Sequence, residues 1–398
     1  MKGERGMKKT LLAVCMLASL VMLTQGAFAG HDSLYKDPEY VGSETCKKCH
    51  KVEHDSWKLT YHSKLIGIRE ERMLKDAVEK WETDGFNPGP TKGNGNGKKF
   101  TRADVQYTIG SKWKQRYLVK NEDTGGYQFL DKQFNRMSGK WEGYGQKHDW
   151  NTQCGTCHTT GYRILEYDAK NPKAQKTSFS ETSIGCEACH GPGAQHVKAP
   201  KKGTMFSFAG KTPQEQSRVC GYCHIRLENE NYKTAQGGWR EDFPAPKVGD
   251  SFKPSDDWTK WYPEHVIIPG VQKHNPFDKE YTGDLKGLFI VDEQSKKNGV
   301  YEEAKHHQEY QGFIQSKHYQ SAGMSCLSCH SPHASKKAPM KEAAKSCAGC
   351  HDASYTVDKY MPGTGKTADN LFVRSHTFIK NQERKGLPTA AGVPIFYK

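Results

Sequence analysis

Cys186-Glu187-Ala188-Cys189-His190-Gly191-Pro192-Gly193-Ala194-Gln195-His196 is the stretch that decides how this chain folds. Its first five residues are Cys-x-x-Cys-His, the attachment signature of c-type haem. On one helical turn, residues three and four apart share a face, so both thiols and the imidazole can meet a single flat ligand. Gly191-Pro192-Gly193 then ends the turn, because proline cannot continue the hydrogen-bond ladder and glycine takes backbone angles that other residues avoid.

The signature occurs six times: Cys46-Cys49-His50, Cys154-Cys157-His158, Cys186-Cys189-His190, Cys220-Cys223-His224, Cys326-Cys329-His330 and Cys347-Cys350-His351. They are motifs 1 to 6 below. Zinc clusters, disulfides or redox CxxC pairs would use the same cysteines, but would leave a histidine after the second cysteine without a role each time. The reading is six covalent haems, with His50, His158, His190, His224, His330 and His351 as proximal iron ligands.

The N-terminus reads as a secretory leader. Lys2, Arg5, Lys8 and Lys9 precede an apolar run from Thr10 to Leu23, and Ala27-Phe28-Ala29 offers a cleavage site, so residues 1–29 are assigned as signal peptide. The run is short for a membrane span, and no later stretch is long enough. Cys15 falls within the run, and the motifs use the other twelve of the thirteen cysteines, which leaves no disulfide to form.

A net charge of +14 invites a nucleic-acid or membrane-surface reading. Haem changes that balance: twelve propionates against six ferric centres add about six negative charges, so the lysine excess is better explained as compensating the cofactors. Nucleic-acid binding is set aside. Hydrophobic residues make up only 35% of the chain, so the haems would supply much of the core and the apoprotein is expected to be largely unfolded.

The expected fold class is mainly α with much irregular structure, packed around six haems, with a small antiparallel β insertion near 103–131. Trp57, Tyr61 and Leu65 recur at helical spacing, which predicts a helix over Val52–Leu65 that also carries His54 and His62, followed by a charged helix to about Trp81. Val105–Ile109, Gln115–Val119 and Tyr127–Leu130 alternate and are broken by Gly125-Gly126, which predicts the sheet. Asn87–Lys99 reads as a loop. Trp239, Trp258 and Trp261 lie in a Trp- and Pro-rich span from Gly237 to Pro269, read as irregular structure around haem edges, and a helix is predicted from Tyr301 carrying His306, His307 and His318. The tail after Glu383 reads as a surface arm.

Several flanking sequences resemble the cytochrome c-554 family of multihaem cytochromes. Cys46-Lys-Lys-Cys-His50 with Ser56-Trp57 and Tyr61-His62-Ser63-Lys64 is similar to its opening. Cys154-Gly-Thr-Cys-His158-Thr-Thr-Gly161-Tyr162 and Gly185-Cys-Glu-Ala-Cys-His190-Gly-Pro-Gly193 resemble its second and third sites, and Cys220-Gly-Tyr-Cys-His224 falls where its fourth would be. The resemblance covers roughly residues 40–225. It implies a mostly helical periplasmic electron carrier with closely packed haems, of which one can lack a second axial ligand. The chain departs by inserting the predicted sheet and adding two C-terminal haems. The expected organisation is therefore a tetrahaem region with the β insertion at 30–225, a Trp/Pro-rich connection at 226–300 and a dihaem region at 301–398.

A second histidine across the iron gives a six-coordinate centre suited to electron transfer, and axial-ligand identity is a main control on potential. The distal candidates are His62, His196, His318, His333 and His376, with the sixth drawn from His148, His306 and His307. His62 and His196 match positions where the family resemblance suggests ligands. Met137, Met205 and Met324 are weaker axial candidates.

The main reading is an exported hexahaem electron carrier. One rival is an oxidoreductase acting on a small nitrogen or sulfur compound at a five-coordinate haem, which by resemblance points to the Cys154–His158 site. No Cys-x-x-Cys-Lys variant supports it. The other rival is a subunit of an extracellular cytochrome filament. Expected partners are redox proteins such as a quinol-linked membrane complex or an outer-membrane cytochrome. The expected location is the periplasm, with extracellular or outer-membrane association as the alternative.

Overall fold

Alternating apolar residues between 105 and 143 build an antiparallel sheet that is larger than the sequence indicates. In the computed structural model, which describes residues 37–68, 73–83, 100–110, 113–121, 126–144, 150–166, 176–233, 239–242, 248–261, 289–366 and 372–380, the sheet has six strands. These are β1 (Ile66–Ile68), β2 (Val105–Ile109), β3 (Lys114–Lys120), β4 (Tyr127–Phe129), β5 (Lys132–Asn135) and β6 (Lys140–Gly143). The order is β1-β2-β3-β5-β6, with β4 also paired to β3.

The period of two sends Leu118 to one face of β3 and Tyr117 and Val119 to the other. In β2 the register shifts between Val105 and Tyr107. Such a bulge re-aims the strand, and Val105 accordingly joins Tyr117 and Val119 while Tyr107 and Ile109 join Leu118. The helix Lys75–Thr83 covers the Tyr117 and Val119 face through Ala77 and Trp81. Trp150, Tyr162 and Ile164, which flank motif 2, pack on the Leu118 face. The sheet thus serves as a wall against motif 2.

Helices are shorter than predicted, so the mainly α expectation needs correction: among the described residues the longest, Lys75–Thr83 and Pro213–Gly221, have nine residues each. The helix predicted over Val52–Leu65 ends at Trp57. Beyond it, the Thr60 hydroxyl bonds Trp57 O and the Ser63 hydroxyl bonds Thr60 O, which offers those carbonyls partners other than helix amides. Trp57 is buried while Tyr61 is exposed, so the helical spacing does not mark one buried face. The charged helix is likewise split, with β1 intervening before Lys75. Residues 301–308 are not helical, and the helix begins at Glu309. There the Gln315 side chain accepts from Tyr301 N and donates to Tyr301 O, clamping that backbone in an open course, and His307 adopts a φ of +64°.

Thr212-Pro213-x-Glu215 starts Pro213–Gly221 with a capping box and a proline in the first turn. This helix carries into motif 4 and packs against Glu309–Ile314, where Tyr222, Ile225, Trp258, Tyr310 and Ile314 form a buried cluster. Trp258, from the Trp- and Pro-rich span, donates its indole N–H to Arg218 O at 2.7 Å. The leader, the 87–99 loop, residues 237–238, 243–247 and 262–269 of that span and the tail after 383 lie outside the described residues. No helix among the described residues is long and apolar enough to cross a membrane.

Candidate functional site

Each motif begins as a short turn whose cysteines face the next motif in space. Cys46 of motif 1 and Cys186 of motif 3 are in side-chain contact, and Ser43 Oγ accepts from Cys186 N at 3.0 Å. Cys157 of motif 2 meets Cys223 of motif 4, beside a 2.6 Å hydrogen bond between the Thr156 and Tyr222 hydroxyls. Cys220 of motif 4 meets Cys326 of motif 5, where Ser217 Oγ accepts from Cys326 N at 3.3 Å. Cys189 of motif 3 lies within electrostatic reach of Cys223, and Cys329 of motif 5 within reach of Cys347 and Cys350 of motif 6. The spatial order is therefore 1-3-4-5-6, with motif 2 beside motif 4. Cys49 and His50 at one end, and Cys350 and His351 at the other, are exposed.

Every motif histidine faces a second histidine ring. Ring centroids are 6.3 Å apart for His50–His196, 6.5 Å for His158–His307, 6.3 Å for His190–His333 and 6.2 Å for His224–His62. The separations are 6.1 Å for His330–His376 and 5.9 Å for His351–His318. Two imidazoles bound to one metal through bonds of about 2 Å place their centroids about 6 Å apart once half of each ring is added. The spacing fits a metal held between two rings. The twelve described cysteines are all free thiols, and among the described residues no three His, Cys, Asp or Glu side chains gather as a zinc cluster would require. The donor set therefore fits c-type haem, with the cysteines as thioether anchors and the histidines as axial ligands.

Local chemistry holds these rings in place. Burial pushes His62, His158 and His330 down to about 4 and His307 down to about 3, which keeps them in the neutral form that a metal requires. His190, His318 and His376 shift the same way, mainly through burial. His224 is the exception: burial alone would lower it, but the Glu309 carboxylate, 3.0 Å from its Nδ1, raises it to about 9. The same ion pair overcomes burial to hold Glu309 well below the ordinary carboxylate range.

His62, His196, His318, His333, His376 and His307 thus all stand opposite a motif histidine. His306 does not; Arg226 donates to its backbone carbonyl at 2.8 Å and lies 3.3 Å from its Nε2. His148 lies outside the described residues. His54 rests on Trp57 and lies 3.3 Å from both Glu44 and Asp55, and Met137 is exposed. The site next to His158, where resemblance suggests an open coordination position, instead has the His307 ring opposite it.

Sequence reasoning passed over five residues that shape the site. The Tyr162 ring occupies the space that a Cβ at Gly155 would need, and the Tyr310 ring does the same at Gly221, which accounts for glycine after the first cysteine in motifs 2 and 4. Glu187, 1% exposed, accepts from Val41, Gly42 and Gly193 amides. The remaining two are Glu309 and Glu181; the latter accepts from both the amide and the hydroxyl of Ser43. Only the two motif glycines gave any advance signal.

Comparison with known proteins points the same way. Residues 45–86 and 111–191 match the family described as cytochrome c554 and c-prime, and residues 318–356 match the doubled CXXCH motif. Cytochrome c-554 of Nitrosomonas europaea is 25% identical over 298 residues, covering 70% of this chain and 97% of that protein. Among solved structures, the outer cell wall cytochrome OcwA aligns with a TM-score of 0.53 and 20% identity over 86% of this chain and 80% of its own. An undecahaem cytochrome from the S-layer of Carboxydothermus ferrireducens aligns with a TM-score of 0.38 and 18% identity, over 83% of this chain and 45% of its own. The repeated haem-attachment motifs and these matches support a multihaem c-type cytochrome that is similar, over residues 45–86 and 111–191, to the cytochrome c-554 family.

Proposed function

We propose that the protein is an exported hexahaem electron carrier in which every iron is held between two histidines. The observation that carries this reading is the set of six ring pairs, each 5.9–6.5 Å between centroids. The pairs are His50–His196, His158–His307, His190–His333, His224–His62, His330–His376 and His351–His318. Bound haem supplies a one-electron couple whose potential depends on its axial ligands. The chain's contribution is to occupy both axial positions, which excludes small substrates, and to keep successive attachment sites close together along the order 1-3-4-5-6. The exposed first and last motifs are the two places where redox partner proteins would exchange electrons.

The assigned regions 30–225 and 301–398 are proposed to act as one unit. His307 and His333 from the second stand opposite His158 and His190 of the first, and Ser56 Oγ accepts from Ala334 N at 2.8 Å. Secretion to the periplasm follows the leader-like residues 1–29 and the chemistry of c-type haem attachment.

The test is a mass and a spectrum. A mature holoprotein about 3.7 kDa heavier than its polypeptide, with wholly low-spin ferric signals, is expected. A smaller mass increment overturns the count. A high-spin component that shifts with nitric oxide or hydroxylamine overturns the carrier reading in favour of chemistry at one haem.

A further inference from the structure

Three of the motif histidines, His158, His190 and His224, differ in what the second ring nitrogen meets. His190 places Nδ1 3.0 Å from the backbone carbonyl of Phe206. The buried Nδ1 of His158 meets no acceptor among the described residues. At His224 the partner is a carboxylate, Glu309 Oε2 at 3.0 Å. This pairing is fixed by backbone as well as side chain, since Tyr310 N donates to His224 O at 3.0 Å and Arg226 N to Gln311 Oε1 at 3.1 Å. Gly221 admits the Tyr310 ring that seats the Glu309 helix against motif 4.

A carboxylate accepting from Nδ1 draws the proton toward itself and makes the opposite nitrogen a stronger donor. A stronger axial donor favours the more oxidised metal and lowers its potential. A neutral backbone carbonyl does this less, and a bare Nδ1 least. Motif 4 also occupies a distinctive place: its cysteines meet Cys157 and Cys326 and lie within reach of Cys189, so it adjoins motifs 2, 3 and 5.

We propose that Glu309 is a tuning residue that gives the haem of Cys220–His224 the lowest potential of the set, at the junction where three neighbours meet. This deepens the electron-carrier reading and rests on His224 and His62 being the axial pair there. Electrons then occupy the flanking sites first, and passage from the motif 1 end to the motif 6 end crosses an uphill step at motif 4.

The experiment is a redox titration of the holoprotein and of its Glu309→Gln and Glu309→Asp variants, followed by visible absorption and by EPR. Glu309→Gln keeps an acceptor but removes the charge. It is expected to raise the reduced-to-oxidised ratio of the lowest-potential component about tenfold at fixed poise, which is 59 mV for one electron, and to move the others less. Glu309→Asp should restore part of that shift. Unchanged potentials in Glu309→Gln, or equal movement of all components, overturn the proposal. If neither variant yields holoprotein, the wild-type titration decides. The last component to be reduced should carry a low-spin EPR signal with the stronger ligand field of an imidazolate-like histidine, and a last component indistinguishable from the rest overturns the proposal. A mass short by one haem would instead sink the six-haem reading, so the two failures are distinguishable.

Discussion

The sheet built from β1 to β6 and the haem-motif segments bury themselves by different means. In the sheet, Tyr117, Leu118, Val119, Leu130 and Phe134 are each no more than 1% exposed, and aliphatic and aromatic side chains pack on both faces. In the motif segments, cysteines and histidines turn toward one another and the helices last four to nine residues. Isolated helices that short are unstable in water. The sheet is therefore stabilised by its own side chains, whereas the motif segments, apart from the Tyr222, Ile225, Trp258, Tyr310 and Ile314 cluster, would rely on what their thiols and imidazoles hold.

The largest effect expected from that contrast is the response to haem loss. Protein made without haem attachment should lose amide-exchange protection across 176–233 and 301–380 while retaining it in β2 to β6. Hydrogen exchange read by mass spectrometry checks this. Equal protection in both regions would mean the motif segments have a core of their own, and equal loss would mean the sheet depends on haem through Trp150 and Tyr162.

The reverse perturbation comes next in size. Leu118→Ala removes a fully buried side chain from the face shared with Trp150 and Tyr162, and should cost about 2–5 kcal/mol. Chemical unfolding followed by tryptophan fluorescence should show that loss, while the haem absorption bands of the folded protein stay unchanged. A change in those bands in the native state would show that the sheet positions motif 2 rather than only covering it.

The sequence disclosed these two regions to different depths. Three sheet strands were visible because period-two alternation is local, whereas β1 was not, because Ile66-Gly67-Ile68 becomes a strand only by pairing with Thr108 and its neighbours. The Cys-x-x-Cys-His turns were visible because each fits within five residues. The set of rings that face the motif histidines was close to legible from short flanks such as His330-Ser-Pro-His333, but the pairing was not: the His62 ring stands opposite His224 rather than the motif it follows, and His333 stands opposite His190. Pairing of that kind depends on chain crossings that no local pattern records. Glu309 was invisible for the same reason, since nothing near it in sequence marks it as the neighbour of His224.

Glu187 sharpens the comparison from within the motif region. Its carboxylate accepts from Val41 and Gly42, which lead into motif 1, and from Gly193, which opens the helix bearing His196. One side chain thereby sets both members of the His50–His196 pair. Glu187→Ala leaves those amides without their acceptor and should cost about 1–3 kcal/mol. It should also broaden or convert the low-spin signal of one haem only. Stability loss with all signals intact would reduce Glu187 to packing, the role that Leu118 has in the sheet.

The smallest expected effect is a pH slope arising at Glu181. Burial raises its carboxyl above the ordinary value of 4.5, the Ser43 hydroxyl and amide act to lower it, and the Glu187 charge raises it further. The net direction is upward, so the folded state holds the proton more tightly than the unfolded chain does. That contribution is complete below about pH 4.5 and is lost as pH rises through the higher folded value. Urea midpoints of the holoprotein should therefore fall across that window, and Glu181→Gln should flatten the fall. Ser43→Ala removes a donor that favours the charged form, so it should steepen the fall and extend it to higher pH. A slope that survives Glu181→Gln would assign the titration to another group and leave the Ser43–Glu181–Cys186 contact as a neutral brace between motifs 1 and 3.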